Sequence, residues 1–399
     1  MRPQLIRLGF GFVALALLAR VPQAMTAERN AATLPASTAD AMAQAASPQA
    51  IAEYRRKLAE YQEARAAFEQ EAGAYWGAIT EKRRGRNAKR RDHQPIDLDD
   101  YVLTQPPVYA GPKRPVNPAP ELEPERPPRE HKAIPVVADL LQAVAAQYQF
   151  KPQRPANEME FKRAYARVAA AAGLTREQAV RVYSFETGGT GNYDVQSGIE
   201  HGGTRAISTA IGYNQLLTTN SVELVAEQGP ELLKALTAKA ASGAPRRAMD
   251  YKISVLKRMV ALARSVPDDW SEHARIADTQ AGWAIHSMVL DIDVGPLLQT
   301  HKLLTSVIFA RTKGYNRPLT AAELEMMNLT GDGTGLDMVT MPQAMREQVP
   351  TSNFFQRSGY ERNPVAIRHN TVAKLLAITD ARMDSNSNLQ GARDLASAF

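Results

Sequence analysis

A proline-dense stretch divides this chain. Eleven of its 25 prolines fall between residues 95 and 135. Proline lacks an amide donor and fixes φ, so this stretch cannot continue a helix and favours an extended polyproline conformation. Whatever lies before residue 95 is therefore set apart from whatever lies after 135. The expected organisation is a leader at 1–24, an arm with a basic run at 25–94, a proline-rich spacer at 95–135 and a main domain at 136–399. Alanine is abundant and runs of Val, Ile and Thr are scarce, which argues against an all-β fold. The expected fold class is mainly α.

The first 24 residues have the parts of a secretory leader. Arg2 and Arg7 charge the start, Leu8 to Ala19 is apolar, and Pro22-Gln23-Ala24 offers small residues for cleavage. Twelve apolar residues span about 18 Å as a helix, short of a bilayer's hydrocarbon core of about 30 Å. A soluble, exported mature protein starting near Met25 is expected. The chain has no cysteine, which excludes disulfides, a thiol nucleophile and thiolate metal sites. Loss of the leader with its three arginines would lower the net charge from +6 to about +3, too little to argue for nucleic acid.

Residues 25–48 are rich in Ala, Ser, Thr and Gln and are expected to be loose. A helical arm follows over about 49–80. Ile51, Leu58, Arg65, Ala72 and Ile79 recur every seven residues, and Tyr54, Tyr61, Phe68 and Tyr75 fill the seam between them. Such a stripe either packs back on the main domain or joins a partner helix, by self-association or with another protein. Residues 81–91 carry seven Lys or Arg. The run is either a solvated face or a contact with an anionic surface such as lipid or acidic wall polymer.

From about 136 the chain reads as successive amphipathic helices: 136–148, 158–172, 176–186, 220–240, 247–265, 273–291, 297–312 and 320–328. Gly173, Gly229-Pro230, Pro267, Gly295-Pro296 and Pro318 read as breakers. No phosphate-loop, HExxH or GxSxG motif occurs, and no histidine pair has metal-ligand spacing. Neither a metal nor an organic cofactor is expected. His286 reads as a packed structural histidine.

One segment carries chemistry. Thr175 and Gln178 form a capping box that starts a helix, and Gly188-Gly189 ends it. Ala179, Val182, Tyr183 and Glu186 fall at i, i+3, i+4 and i+7, which places Glu186 on the apolar face in the last turn. Burial there, and the negative end of the helix dipole, both disfavour ionisation. A carboxyl kept protonated near neutrality can act as a general acid. The alternative is a glutamate that merely bonds the following loop.

Phe185-Glu186-Thr187-Gly188-Gly189 resembles the catalytic-glutamate motif of the soluble lytic transglycosylases and goose-type lysozymes. Ala210-Ile211-Gly212-Tyr213-Asn214-Gln215-Leu216-Leu217 resembles their second motif, Ala-x-Gly-x-x-Gln. Asn328, in Met327-Asn328-Leu329-Thr330-Gly331, could stand for their third motif, Tyr-Asn-Ala-Gly, without its tyrosine and alanine; Tyr315-Asn316 is a rival placement. The resemblance covers about 175–217, and the 29 residues from Glu186 to Gln215 exceed the usual gap. It implies a lysozyme-like helical domain in the periplasm that cleaves the β-1,4 bond between N-acetylmuramic acid and N-acetylglucosamine. Glu186 would be the acid, and Gly212, Tyr213, Gln215 and Asn328 would bind the glycan strand, with Tyr213 either stacking on a sugar or packing in the core. The alternatives are a hydrolytic muramidase using Asp194 or Glu200 as second carboxylate, or a non-catalytic wall-binding scaffold.

Overall fold

The computed structural model describes residues 47–119, 133–199, 205–243 and 246–399. The leader at 1–24, the loose stretch after it and Glu200 lie outside the described residues. The chain is mainly helical, 68% helix, and among the described residues only isolated β-bridges occur. It divides into two compact units, one within 17–132 and one from Ala133 to Phe399. No described helix is long and apolar enough to cross a membrane.

In the first unit α1 runs from Pro48 to Arg91. Ser47 caps it, accepting a hydrogen bond from the Ala50 amide at 3.2 Å, and Pro48 sits at the first helical position, where its missing amide costs nothing. The helix runs through Gly73 and Gly77 and through the whole basic run, about eleven residues past its expected end. Lys and Arg are good helix formers. Pairs such as Lys57–Glu53 at 2.7 Å and Arg65–Glu69 at 2.6 Å line the exposed face at the spacing that supports a helix.

The described part of the proline-rich segment contains a 3-10 turn at Leu98–Asp100 and returns along α1 rather than leading away. Arg86 donates to the Asp100 carbonyl at 2.8 Å and lies 4.3 Å from the Tyr101 ring centre. The Tyr75 hydroxyl donates to the Thr104 carbonyl at 2.9 Å. Tyr109 meets Phe68 edge-on at 5.4 Å between ring centres, with the Arg65 guanidinium 5.1 Å from its own. Residues 100, 104 and 109 thus meet progressively earlier turns of α1. The seam from Tyr61 to Tyr75 is occupied by this chain's own segment. The basic run is not a uniformly solvated face either: Arg86 is fully buried, Lys89 pairs with Asp100 at 2.6 Å, and Lys82 donates to the Asp99 carbonyl.

The second unit contains α2 (Val137–Tyr148), α3 (Glu158–Ala172), α4 (Arg176–Glu186), α5 (Thr218–Ala241), α6 (Arg246–Ala263), α7 (Trp270–Ala277), α8 (Gln280–His286), α9 (Gly295–Thr312) and α10 (Ala321–Thr330). These match the expected segments closely, with two differences. Gly229-Pro230 lies inside α5 instead of ending it; Gly229 sits against Val260 of α6, and that packing outweighs the proline's lost hydrogen bond. The expected 273–291 helix is broken at Asp278-Thr279, where Thr279 accepts from the Gly282 amide at 3.1 Å and starts α8 anew. Beyond the last expected segment come α11 (Asp332–Thr340), α12 (Gln343–Arg346), α13 (Arg357–Glu361), α14 (Pro364–Arg368), α15 (Val372–Ser387) and α16 (Gln390–Ala398).

Helix α4 sits among α3, α10, α15 and α16. An aromatic knot fixes it: Tyr213 packs edge-on against Tyr183 of α4 at 4.8 Å, and against Phe161 and Tyr165 of α3 at 5.2 and 5.4 Å. Such edge-to-face pairs add about 0.5–1.5 kcal/mol each beyond the area they bury.

Candidate active site

Glu186 lies in the last turn of α4, and the local sequence explains how it is held there. The capping box forms as read: the Gln178 amide donates to Thr175 Oγ1 at 3.1 Å, and Gln178 Oε1 accepts from the Thr175 amide at 3.0 Å. At the other end the Thr187 amide still bonds the Tyr183 carbonyl at 3.0 Å, and Gly188 then turns the chain with φ +64°. Gly189 (φ +77°) lies under the end of α15; a Cβ there would stand 2.3 Å from the Asn386 carbonyl oxygen. Asn386 also donates to the Ser184 carbonyl at 2.9 Å, and the Ala392 amide of α16 donates to the Gly189 carbonyl at 3.0 Å. The two C-terminal helices therefore clamp the loop that follows Glu186.

Glu186 is half-buried as a residue, and protein crowds its carboxyl. Asn328 of α10 donates from Nδ2 to Glu186 Oε1 at 2.9 Å. The helix that carries Asn328 brings a second acid with it. Glu325, one turn earlier, is fully buried, and neither of its oxygens has a hydrogen-bond donor. Burial pushes the Glu186 carboxyl up to about 7, against Lys302, Glu325, Arg382 and Asn328, each of which favours its ionised form. Burial and the neighbouring Glu186 push Glu325 well above the ordinary carboxyl range. Arg382 of α15 lies 4.9 Å from the Phe185 ring centre, and desolvation lowers its pKa while the two glutamates oppose that. Two carboxyls that crowd each other with too few donors cannot both ionise.

The other expected residues are placed as follows. Asn328 joins Glu186 directly. The rival Tyr315-Asn316 does not: Tyr315 reaches Glu323, which also pairs with Arg317 at 2.5 Å and caps α10. Tyr213 is fully buried in the aromatic knot and donates its hydroxyl to Glu158, so it has no face to offer a sugar. Gln215 is buried and spends its side-chain amide on the Gly212 carbonyl at 2.8 Å and the Val195 carbonyl at 3.3 Å. Gly212 (φ +84°) is buried against Gln299, whose Nε2 would stand 2.1 Å from an added Cβ. The Ala210–Leu217 segment is thus a tight, internally bonded turn that buttresses α4 through Tyr183.

His286 is structural, as read. Its Nε2 faces the Thr209 carbonyl at 2.8 Å, which can only accept, so Nδ1 is the acceptor of the Ser221 hydroxyl at 2.7 Å. Both side chains are fully buried, and burial lowers the His286 pKa to about 4. Among the described residues no His, Asp and Glu cluster could hold a metal ion.

Glu325 was absent from the sequence reading. The available signal was helix α10 itself, Ala321-Ala322-Glu323-Leu324-Glu325-Met326-Met327-Asn328-Leu329, which has apolar residues on every side. A helix hydrophobic all round is buried, so its acids must lie inside.

Comparison with known proteins adds no relative: no family model, no curated protein and no solved structure matches the chain.

Proposed function

We propose that this protein is an exported peptidoglycan lytic transglycosylase with Glu186 as its acid–base residue and a lysozyme-like arrangement of helices around it. The observation that carries the reading is a carboxyl held by Asn328 Nδ2 at 2.9 Å beside a second, fully buried acid, on the clamped end of a helix; burial pushes its pKa up. A carboxyl that titrates near neutrality can both give and take a proton under working conditions.

Ordinary glycosidases need two carboxylates, one of them free to attack or to activate water. Of the two acids read as candidates for that role, Asp194 is held by Arg154 and Glu200 lies outside the described residues; Glu325, beside Glu186, is sealed from solvent. One acid suffices for a transglycosylase. Protonated Glu186 gives its proton to the leaving glycosidic oxygen as the C1–O bond breaks. The substrate's own N-acetyl group stabilises the oxocarbenium-like centre. The Glu186 carboxylate then takes the proton of the C6 hydroxyl, O6 bonds to C1, and a 1,6-anhydro ring closes. The nucleophile is tethered, so no water has to be placed. Asn328 steadies the carboxylate through both steps. No cofactor enters.

Mass spectrometry of peptidoglycan digested with the purified protein tests this. Products ending in 1,6-anhydromuramic acid, one water lighter than hydrolytic products, are expected. Reducing-end products would make it a muramidase, and no release would leave a wall-binding scaffold. Fractionation should find the protein in the periplasm with its mature N-terminus near Met25.

A further inference from the structure

Glu325 has a buried carboxyl with no donor on either oxygen, on the same face of α10 as Asn328, which bonds Glu186. A carboxylate left in that state would be costly. The cost falls if Glu325 keeps a proton, because it then becomes a donor, and the acceptors beside it are the Glu186 carboxylate and the unpartnered Asn328 Oδ1. We propose that Glu325 is a positioning residue that remains protonated and donates its proton in a hydrogen bond to the Glu186 carboxylate. This rests on the acid–base role of Glu186 proposed above. With Asn328 it gives the carboxylate two donors at the moment Glu186 has released its own proton.

Atoms balance without a further reactant. Glu186 gives one proton to the leaving oxygen and recovers one from the C6 hydroxyl, while the Glu325 proton stays on Glu325 throughout. The charged groups facing the pair from the surrounding helices are Lys302 of α9 and Arg382 of α15; Asp332, at the start of α11, faces Lys302. Lys302 and Arg382 favour a single negative charge on the pair, and burial rejects a second. Asp332 is itself pushed up by burial and is bonded by the Ser306 hydroxyl at 2.6 Å.

Two measurements on the full chain test this. The first needs no activity: an infrared difference spectrum, wild type minus Glu325→Gln, at pH 7. A protonated-carboxyl band in the wild type that the variant lacks is expected; its absence overturns the proposal even if the chain cleaves glycan. The second is the pH profile of glycan release. Glutamine donates as a protonated acid does, so Glu325→Gln should keep the basic limb at the wild-type pH with a reduced rate. Glu325→Leu removes the donor, which should cost about 10- to 100-fold in rate and move that limb to higher pH. A basic limb moved to lower pH in Glu325→Gln would mean that Glu325 is a carboxylate in the wild type, and would overturn the proposal. Failure of any form to cleave glycan would sink the transglycosylase reading and leave the infrared result to decide the proton's place.

Discussion

The second unit buries two acidic clusters, and they are built on opposite principles. In one, Lys252 bridges Asp291 at 2.8 Å and also binds Asp293, with Lys239 on the outer side of Asp293. Asp291 further accepts the backbone amides of Gln153 at 2.8 Å, Asp293 at 2.9 Å and Val294 at 3.2 Å. Every charge there has an opposite charge or a backbone donor. In the other, Glu186 and Glu325 face each other with Asn328 as the hydrogen-bonded donor to Glu186, and Glu325 has no donor at all. The first cluster ties the 291–294 turn to α6 and to the segment before α3. The second crowds two acids around a single hydrogen-bonded donor. Acids of similar burial thus differ in function because of what surrounds them.

The comparison breaks most visibly at Glu186. Glu186→Gln preserves shape but cannot deliver a proton. Glycan release should fall by about 10²–10⁴-fold, the usual contribution of general acid–base catalysis. The melting temperature should hold or rise, because a crowded carboxyl is a local cost to stability. Undiminished release by this variant would remove Glu186 from the chemistry.

The Lys252 cluster should respond the other way round. Lys252→Met leaves Asp291 and Asp293 buried without their shared cation, and breaking a buried pair from one side costs about 3–5 kcal/mol. Denaturant unfolding should show this loss, with little change in release per folded molecule. A neutral effect on stability, or a specific effect on release, would mean that the two clusters are not the different devices described above.

Legibility in the sequence followed the strength of the local signal. Glu186 was readable because Ala179, Val182 and Tyr183 set an apolar stripe, and because a capping box and a glycine pair fixed both ends of the helix. Glu325 was not readable as a partner. Its helix is nearly uniform in hydrophobicity, so periodicity assigns it no face, and its meeting with α4 depends on packing across about 140 residues of chain. Tyr213 takes the packing alternative for a related reason: a motif gives residue order but not which side of a turn is buried, and here the tyrosine closes the core against Tyr183. Of the helices after residue 331, α15 and α16 dock on α4, and that docking is tertiary. In the arm, the seven-residue pattern correctly placed a helix. Its extension through residues 81–91 came from contacts with residues 99–101, which the pattern cannot encode.

A smaller effect is expected at Asn328. Asn328→Leu keeps the volume and removes the donor to Glu186 Oε1. Hydrogen bonds to charged groups are worth about 1.5–3 kcal/mol, so release should fall by about tenfold or somewhat more. The donor favours the ionised form of Glu186. Its loss should therefore carry the basic limb of the pH–rate profile upward, as in Glu325→Leu. A rate loss with an unmoved profile would assign Asn328 to the fold rather than to the acid.

The last and smallest effect is the pH dependence of stability, where the two clusters should have opposite signs. Glu186 has its pKa raised in the folded chain, to about 7 from an ordinary 4.5. The folded form therefore binds that proton more tightly than the unfolded form does. Its contribution is fully present below about pH 4.5 and is lost as pH rises towards about 7. Asp293 is the reverse case: its lysine partners hold it below its ordinary 3.8, so its contribution is present above that value and is lost as pH falls through the depressed pKa. Melting temperatures measured across both windows should then separate the clusters. Glu186→Gln should flatten the decline between about pH 4.5 and 7 and leave the acid side alone. Asp293→Asn should weaken the acid-side dependence and leave the neutral window alone. Asp291, pushed up by burial, adds a contribution of the same sign as that of Glu186, so the Glu186 effect must be read as the difference between wild type and Glu186→Gln. If that difference has no slope between pH 4.5 and 7, the Glu186 carboxyl is not raised in the folded chain, and the contrast between a cluster of paired charges and a cluster of crowded acids fails at its centre.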